Sequence, residues 1–180
     1  MTSTILALAL ALGGCSSGTL DSGSAAAAAT QPGAVHPISG LPVIDLVVSS
    51  KTGAHNFRVE VASTPEQQAR GLMFRTEMAP DEGMLFPERT PRQPAFWMKN
   101  TVIPLDIIYV GTDGRVLNIV HGQPYDLTPL PAAGLASGVL ELNGGRAAEL
   151  GIEPGDKVRW NLPNSGPAGG NPLGRAGEGR

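Results

Sequence analysis

The side chains best suited to chemistry in this 180-residue chain fall in a few short blocks. Phe96-Trp-Met-Lys-Asn-Thr101 sets a cation and an amide beside an indole. Strand alternation over that block puts Phe96, Met98 and Asn100 on one face and Trp97, Lys99 and Thr101 on the other. Asp106 opens the otherwise apolar run Leu105-Asp-Ile-Ile-Tyr-Val110, where burying an unpaired carboxylate would be costly. Lys99, Asn100 and Arg75 are its candidate partners. A structural ion pair, or backbone hydrogen bonds accepted at a bend after Pro104, would account for Asp106 without any site. The functional alternative is a cleft lined by Arg75, Lys99, Asn100, Asp106 and Glu141 that binds a small polar ligand, with Trp97 as one apolar wall. Asp106 or Glu141 as general base with Lys99 stabilising developing charge would make a hydrolase or transferase. No nucleophile motif accompanies these residues, so the pattern leans towards binding. Glu141, between Leu140 and Leu142, could equally face solvent.

Other reactive types contribute less. Met73, Met78, Met84 and Met98 lie in or near the same blocks, and soft thioethers can hold copper(I); three of them sit beside Leu72, Leu85 and Phe96, where packing explains them. His36, His55 and His121 follow no ligand spacing, and His121 reads as an exposed strand end. No metal site or cofactor is expected. The net charge is -3 and no two basic residues are adjacent, which argues against nucleic-acid binding.

The single cysteine, Cys15, follows the apolar run Ile5 to Leu12 and the pair Gly13-Gly14. Eight to ten apolar residues at 1.5 Å each cover about 12–15 Å, half of the ~30 Å bilayer core, so the segment is too short to span. It has the length of a secretory signal core ending at small residues, and Leu12-Gly-Gly-Cys15 resembles the bacterial lipobox, whose cysteine is acylated. The expectation is a lipoprotein attached to the membrane through acylated Cys15, on the periplasmic face of the outer membrane. One feature departs from that pattern: Met1-Thr-Ser-Thr4 lacks the usual basic residues, as a start codon placed too far downstream would explain.

Composition divides the chain into a signal peptide over 1–14, a lipidated N-terminus and flexible tether over 15–40, one globular domain over 41–162, and a disordered tail over 163–180. The tether and tail are Ser-, Ala-, Gly- and Pro-rich with little to bury. In the domain, Val43 to Val48 and Phe57 to Val61 read as a hairpin across Lys51-Thr-Gly53. Thr64 with Pro65 and Gln67 forms a capping box that starts a helix carrying Ala69, Leu72 and Met73 on one face. Gly83 to Phe86, Ala95 to Thr101, Leu105 to Val110 and Val116 to Val120 read as strands, the last two joined by a hairpin at Asp113-Gly114. Val139 to Leu142 leads into a short helix, Arg146 to Leu150, ended by Gly151. Glu153-Pro-Gly-Asp156 is a type II turn before a strand carrying Val158, Trp160 and Leu162. The fold class is mainly β: a small sandwich or distorted barrel of about seven or eight short strands with two short helices.

Six blocks carry a family resemblance: Gly71-Leu-Met-Phe-Arg75, Gly83-Met-Leu-Phe86, Phe96-Trp-Met-Lys-Asn-Thr101, Ile103-Pro-Leu-Asp106, Val139-Leu-Glu-Leu-Asn143 with Gly145, and Gly151-Ile152 before Gly155-Asp156. In order and spacing they resemble the bacterial and archaeal domain of unknown function 192, over about residues 55–161. The resemblance implies a compact mainly β domain, often exported and sometimes lipid-anchored, and brings no activity. Together the readings describe a lipid-anchored cell-envelope protein whose domain is an accessory or binding module for a small polar ligand or an envelope partner. The alternatives are an envelope hydrolase or transferase, or a methionine-based copper protein.

Overall fold

A computed structural model describes residues 34–162; Cys15, the expected signal peptide, residues 15–33 of the expected tether and the expected tail lie outside them. Among the described residues the chain is mainly β, as expected, with nine strands and two short helices. The first hairpin, β1 (Val43–Ser50) and β2 (Gly53–Val61), pairs in full register from Val43↔Glu60 to Ser50↔Gly53. The turn-side end of β2 is largely exposed, whereas Phe57, Val59 and Val61 are buried on one face with Ile44, Leu46 and Val48. That is the alternation the sequence displays.

Helix α1 (Pro65–Arg70) is capped as expected: Thr64 Oγ1 accepts from the Gln67 N–H at 3.2 Å, and Gln67 Oε1 accepts from the Thr64 N–H at 3.0 Å. It stops one turn short of the expected apolar face. Gly71 takes φ 48°, so Leu72 and Met73 fall in the following loop and Ala69 is exposed. The connection through α1 brings β3 (Glu82–Arg92) alongside β2 as a parallel partner, the one parallel pairing among the described strands.

The rest of the large sheet is antiparallel. β5 (Leu105–Gly111) and β6 (Val116–Gly122) form the expected Asp-Gly hairpin, and β8 (Ala136–Asn143) inserts between β3 and β5. With β9 (Lys157–Trp160) the order is β6-β5-β8-β3-β2-β1-β9. The expected strand over residues 95–101 is shorter: β4 (Ala95–Phe96) pairs only with β7 (Leu130–Pro131). Residues 97–101 form a loop in which Asn100 has φ 54°, a left-handed conformation that asparagine tolerates better than most residues.

The large sheet curls without closing into a barrel. Its inner face buries Leu46, Phe57, Val59, Leu85, Ile108, Leu140 and Trp160 in one core. The curl brings Trp160 of β9 over Gly138 of β8, where an added Cβ would stand 3.1 Å from the indole. Residues Arg115 and Lys157 form a single bridge between the sheet's two ends. The outer face carries a second core of Met84, Phe86, Met98, Leu105, Ile107, Tyr109 and Val139. The small β4–β7 sheet packs there, with Phe96 edge-on to Phe86 at 5.0 Å and to Tyr109 at 6.2 Å.

Helix α2 (Arg146–Glu149) lies at the inner-face side of β5 and is held by Asp106. One carboxylate oxygen accepts from the Gly145 N–H at 2.9 Å and the other from the Ala147 N–H at 2.7 Å. The helix ends in a Schellman motif, with Ile152 N–H donating to Ala147 O at 2.8 Å and Gly151 N–H to Ala148 O at 3.1 Å. Gly151 has φ 63°, and Ile152 packs into the inner core.

Residues 34–40, read from composition as tether, fold back on the domain. His36 N–H donates to Leu41 O at 2.8 Å and Val43 N–H to Ala34 O at 2.9 Å. Ser39 donates its hydroxyl to buried Glu60, a carboxylate too far along the sequence for composition to reveal.

Asp106→Ala would orphan the Gly145 and Ala147 amides at the start of α2 and should lower unfolding free energy by about 2–3 kcal/mol. Urea denaturation measures the loss; an unchanged midpoint would contradict this role for the carboxylate.

Candidate functional site

Strand alternation decides where the expected site residues go. In β5, Leu105, Ile107 and Tyr109 face the outer core, whereas Asp106, Ile108 and Val110 face inward. In β8, Leu140 and Leu142 face inward, so Val139 and Glu141 face outward. Asp106 and Glu141 therefore stand on opposite faces of one sheet and cannot act on a common substrate. Asp106 is fully buried, and its third contact is His121 Nδ1 at 2.7 Å, not Lys99, Asn100 or Arg75. His121 is the exposed strand end that was expected, its side chain 62% accessible; its contact with Asp106 follows from their cross-strand pairing in the β5–β6 hairpin.

Arg75 is also committed elsewhere. Its guanidinium meets Glu60 through two contacts, at 2.8 and 3.0 Å, in a fork-to-fork pair in which both residues are buried. Asn100 shapes the backbone: its carbonyl accepts from the Phe74 N–H at 2.8 Å, and its side-chain amide lies 3.9 Å from Met73 Sδ. Neither Arg75 nor Asn100 lines the cavity described next.

Trp97, Lys99 and Glu141 do come together, around a cavity of about 240 Å³ on the outer face. Phe86 and Leu72, both buried, and the half-buried Phe96 supply its apolar walls. The exposed lining residues Arg70, Arg92, Trp97 and Lys99 form its mouth. Lys99 Nζ sits 5.3 Å from the Trp97 ring centroid, a cation–π geometry. Arg92 is held by Glu88 through two contacts of 2.7 and 2.6 Å.

Glu141 is the cavity's chemical centre. Its side chain is buried, only 5% accessible, between Met84 and Ile107 of the flanking strands. Among the described residues its carboxyl has no hydrogen-bond or ion-pair partner. Burial alone pushes its pKa up to about 8, so at neutral pH it is a protonated acid, able to donate as well as accept a hydrogen bond. The same burial raises Tyr109, whose hydroxyl donates to Leu130 O and so ties β5 to β7.

Strained backbone clusters beside this cavity. The non-glycine residues with positive φ among the described ones are Phe74 (64°), Asn100 (54°) and Tyr125 (64°), and their loops are linked. Phe74 N–H donates to Asn100 O, Tyr125 N–H to Thr101 O at 3.1 Å, and Met98 N–H to Asp126 O at 2.8 Å. An aromatic residue held left-handed costs about 1–2 kcal/mol. The cross-loop hydrogen bonds hold that geometry, leaving Phe74 and Tyr125 exposed.

Sequence reasoning missed Phe86, Phe96, Leu72 and Arg70 as cavity residues. The first three read as core, and only the early end of α1 at Gly71 turns the Arg70–Met73 segment into a rim. Of the methionines, Met84 and Met98 are buried in the outer core, and Met98 packs against Gly122, where an added Cβ would collide with its sulfur.

Comparison with known proteins gives a family and no activity. Residues 47–160 match the model of DUF192, described as "Uncharacterized ACR"; the match begins earlier than the expected residue 55 and takes in the second half of β1. A protein of unknown function from Novosphingobium aromaticivorans is 55% identical, with 73% of this chain and 99% of that one covered and a TM-score of 0.70. A Sinorhizobium meliloti protein described as a "putative transcription regulator" is 35% identical over 67% of this chain and 95% of that one, with a TM-score of 0.64. No curated protein matches.

The raised pKa of Glu141 fixes the sign of its pH effect. The unfolded carboxyl ionises near 4.5 and the folded one near 8. Its contribution is fully present below 4.5, declines as pH rises between the two values, and is level above 8. The loss across that window is on the order of a few kcal/mol. Glu141→Gln should remove this decline, so its stability relative to wild type should rise from pH 5 to pH 8 in denaturant titrations. Parallel pH curves for the two proteins would show that the carboxyl is not held neutral.

Proposed function

The chain belongs to the DUF192 family, and from the cavity on its outer sheet face we propose that it is a small-ligand-binding module, carried in the cell envelope on a lipid anchor. The observation that carries the binding reading is the Glu141 carboxyl, buried and without a partner among the described residues. A buried polar group without a partner costs about 1–3 kcal/mol, and a ligand that hydrogen-bonds to it recovers that energy on binding. The aromatic and aliphatic walls around it have the composition of a ligand pocket, apolar with a few placed polar groups. Its size suits a molecule of modest dimensions. The strained loops beside the cavity support the same reading, because left-handed aromatic residues persist where their placement serves a purpose.

The anchor rests on sequence. Cys15 follows an apolar run too short to span a bilayer, and the Ser-, Ala- and Gly-rich segment after it suits a spacer between membrane and domain. Several acyl chains on a processed lipoprotein would hold it at the membrane. Ser16 rather than Asp after the cysteine favours the outer membrane, by analogy with other lipoproteins.

Native mass spectrometry of gently purified full chain should find a bound small molecule in wild type and none in Glu141→Leu, with circular dichroism unchanged. An empty wild-type cavity in repeated preparations would count against binding. For the anchor, Cys15→Ser should move the protein from the detergent to the aqueous phase in a Triton partition; equal partitioning of both forms would refute acylation.

A further inference from the structure

The charges around the cavity narrow the chemistry of what it holds. In a chain of net charge -3, three of the four charged residues that line it are cations: Arg70, Arg92 and Lys99. Glu88 engages Arg92 in a bidentate pair. Arg70 and Lys99 have no ion-pair partner among the described residues, and Lys99 lies against the Trp97 ring. The fourth charged type is Glu141, buried at the inner end. An acid that burial holds neutral does not cancel the field of these two cations and presents a hydroxyl donor instead. Between these polar ends lie Phe86 and Phe96, set edge to face at 84°, with Leu72 beside them.

Resting on the ligand-binding reading above, we infer that the ligand is a small organic acid, with its carboxylate at Lys99 and Arg70, an aromatic or short apolar body against Phe86 and Phe96, and a polar tip hydrogen-bonded to Glu141. The opposite polarity, an amine directed at Glu141, would have to pass and sit beside two cations of like charge that have no ion-pair partner among the described residues, which disfavours it. An uncharged ligand would leave Lys99 and Arg70 without a role. Lys99 gives up little on binding, because the Trp97 face and a ligand carboxylate approach an ammonium from different sides.

Three probes that share one phenol body and differ in the charge of the tail separate these cases: p-hydroxyphenylacetate, p-ethylphenol and tyramine, titrated calorimetrically into the full chain at about pH 6.5, where Glu141 is neutral. The acid should bind at least about tenfold tighter than p-ethylphenol, a difference of ~1.4 kcal/mol, and tyramine more weakly than either. Lys99→Gln and Arg70→Gln should each pull the acid towards the affinity of p-ethylphenol. Raising the pH past 8 ionises Glu141 and should weaken the acid in wild type more than in Glu141→Gln. Tyramine binding tightest, or all three binding alike, would overturn the organic-acid assignment and leave the binding site standing. Saturable binding by none of the three would also overturn the assignment, and the native mass spectrum of the wild-type chain, with or without a bound small molecule, then decides the binding reading.

Discussion

Strand β8 is the constraint on which the rest depends. It lies between β3 and β5, and both of its faces are covered: Leu140 and Leu142 by the inner core, Val139 by the outer one. Close packing is enforced along it. An added Cβ at Gly138 would stand 3.1 Å from Trp160, and one at neighbouring Gly83 would stand 2.6 Å from the Glu141 carbonyl oxygen. Residues 138–142 in the middle of the strand are all buried, whereas Ser137 and Asn143 near its ends are half-buried, and burial at Glu141 favours the neutral, protonated carboxyl.

The curl of the sheet explains why a chain with so few aromatic residues has two cores. Residues on the inner faces of β1, β2 and β9 pack against the inner faces of β5 and β8, so one face of a single sheet closes on itself. The outer face then needs a separate cover. β4, β7 and the loop after α1 supply it, and the cavity is the space this thin cover leaves unfilled.

What the sequence revealed was what local rules control. The Thr64 capping box, the Asp113-Gly114 hairpin, the Gly151 helix stop and the Pro154-Gly155 turn each depend on residues within a few positions of one another, and each formed where expected. The strand read through residues 97–101 did not, because its alternation was overridden by distant hydrogen bonds from Phe74, Met98 and Tyr125. Which face a strand turns to which neighbour is likewise not local. Asp106 and Glu141 look alike along the chain, each an acid in an apolar run, and only the pairing of β5 with β8 shows that they point in opposite directions. Trp97 and Lys99 were legible as a pair because residues two apart along the chain stay close even in the loop that replaces the expected strand.

Three acids of the sheet are buried, and they are accommodated in three different ways. Asp106 spends its charge on two backbone amides and His121, and so fixes a helix. Glu60 spends its charge on Arg75, with Ser39 added, and so fixes the loop after α1 and the segment before β1. Both are fully engaged, and nothing is left over to meet a ligand. Among the described residues Glu141, unlike the other two, has neither amide, cation nor hydroxyl as a partner, and it lines the outer-face cavity. A purely structural position of that kind would be better filled by leucine, which packs as well without the desolvation cost. On the proposed binding reading, a carboxyl unpartnered among the described residues, beside apolar walls and below cations that are not paired with it, is the group a ligand would engage.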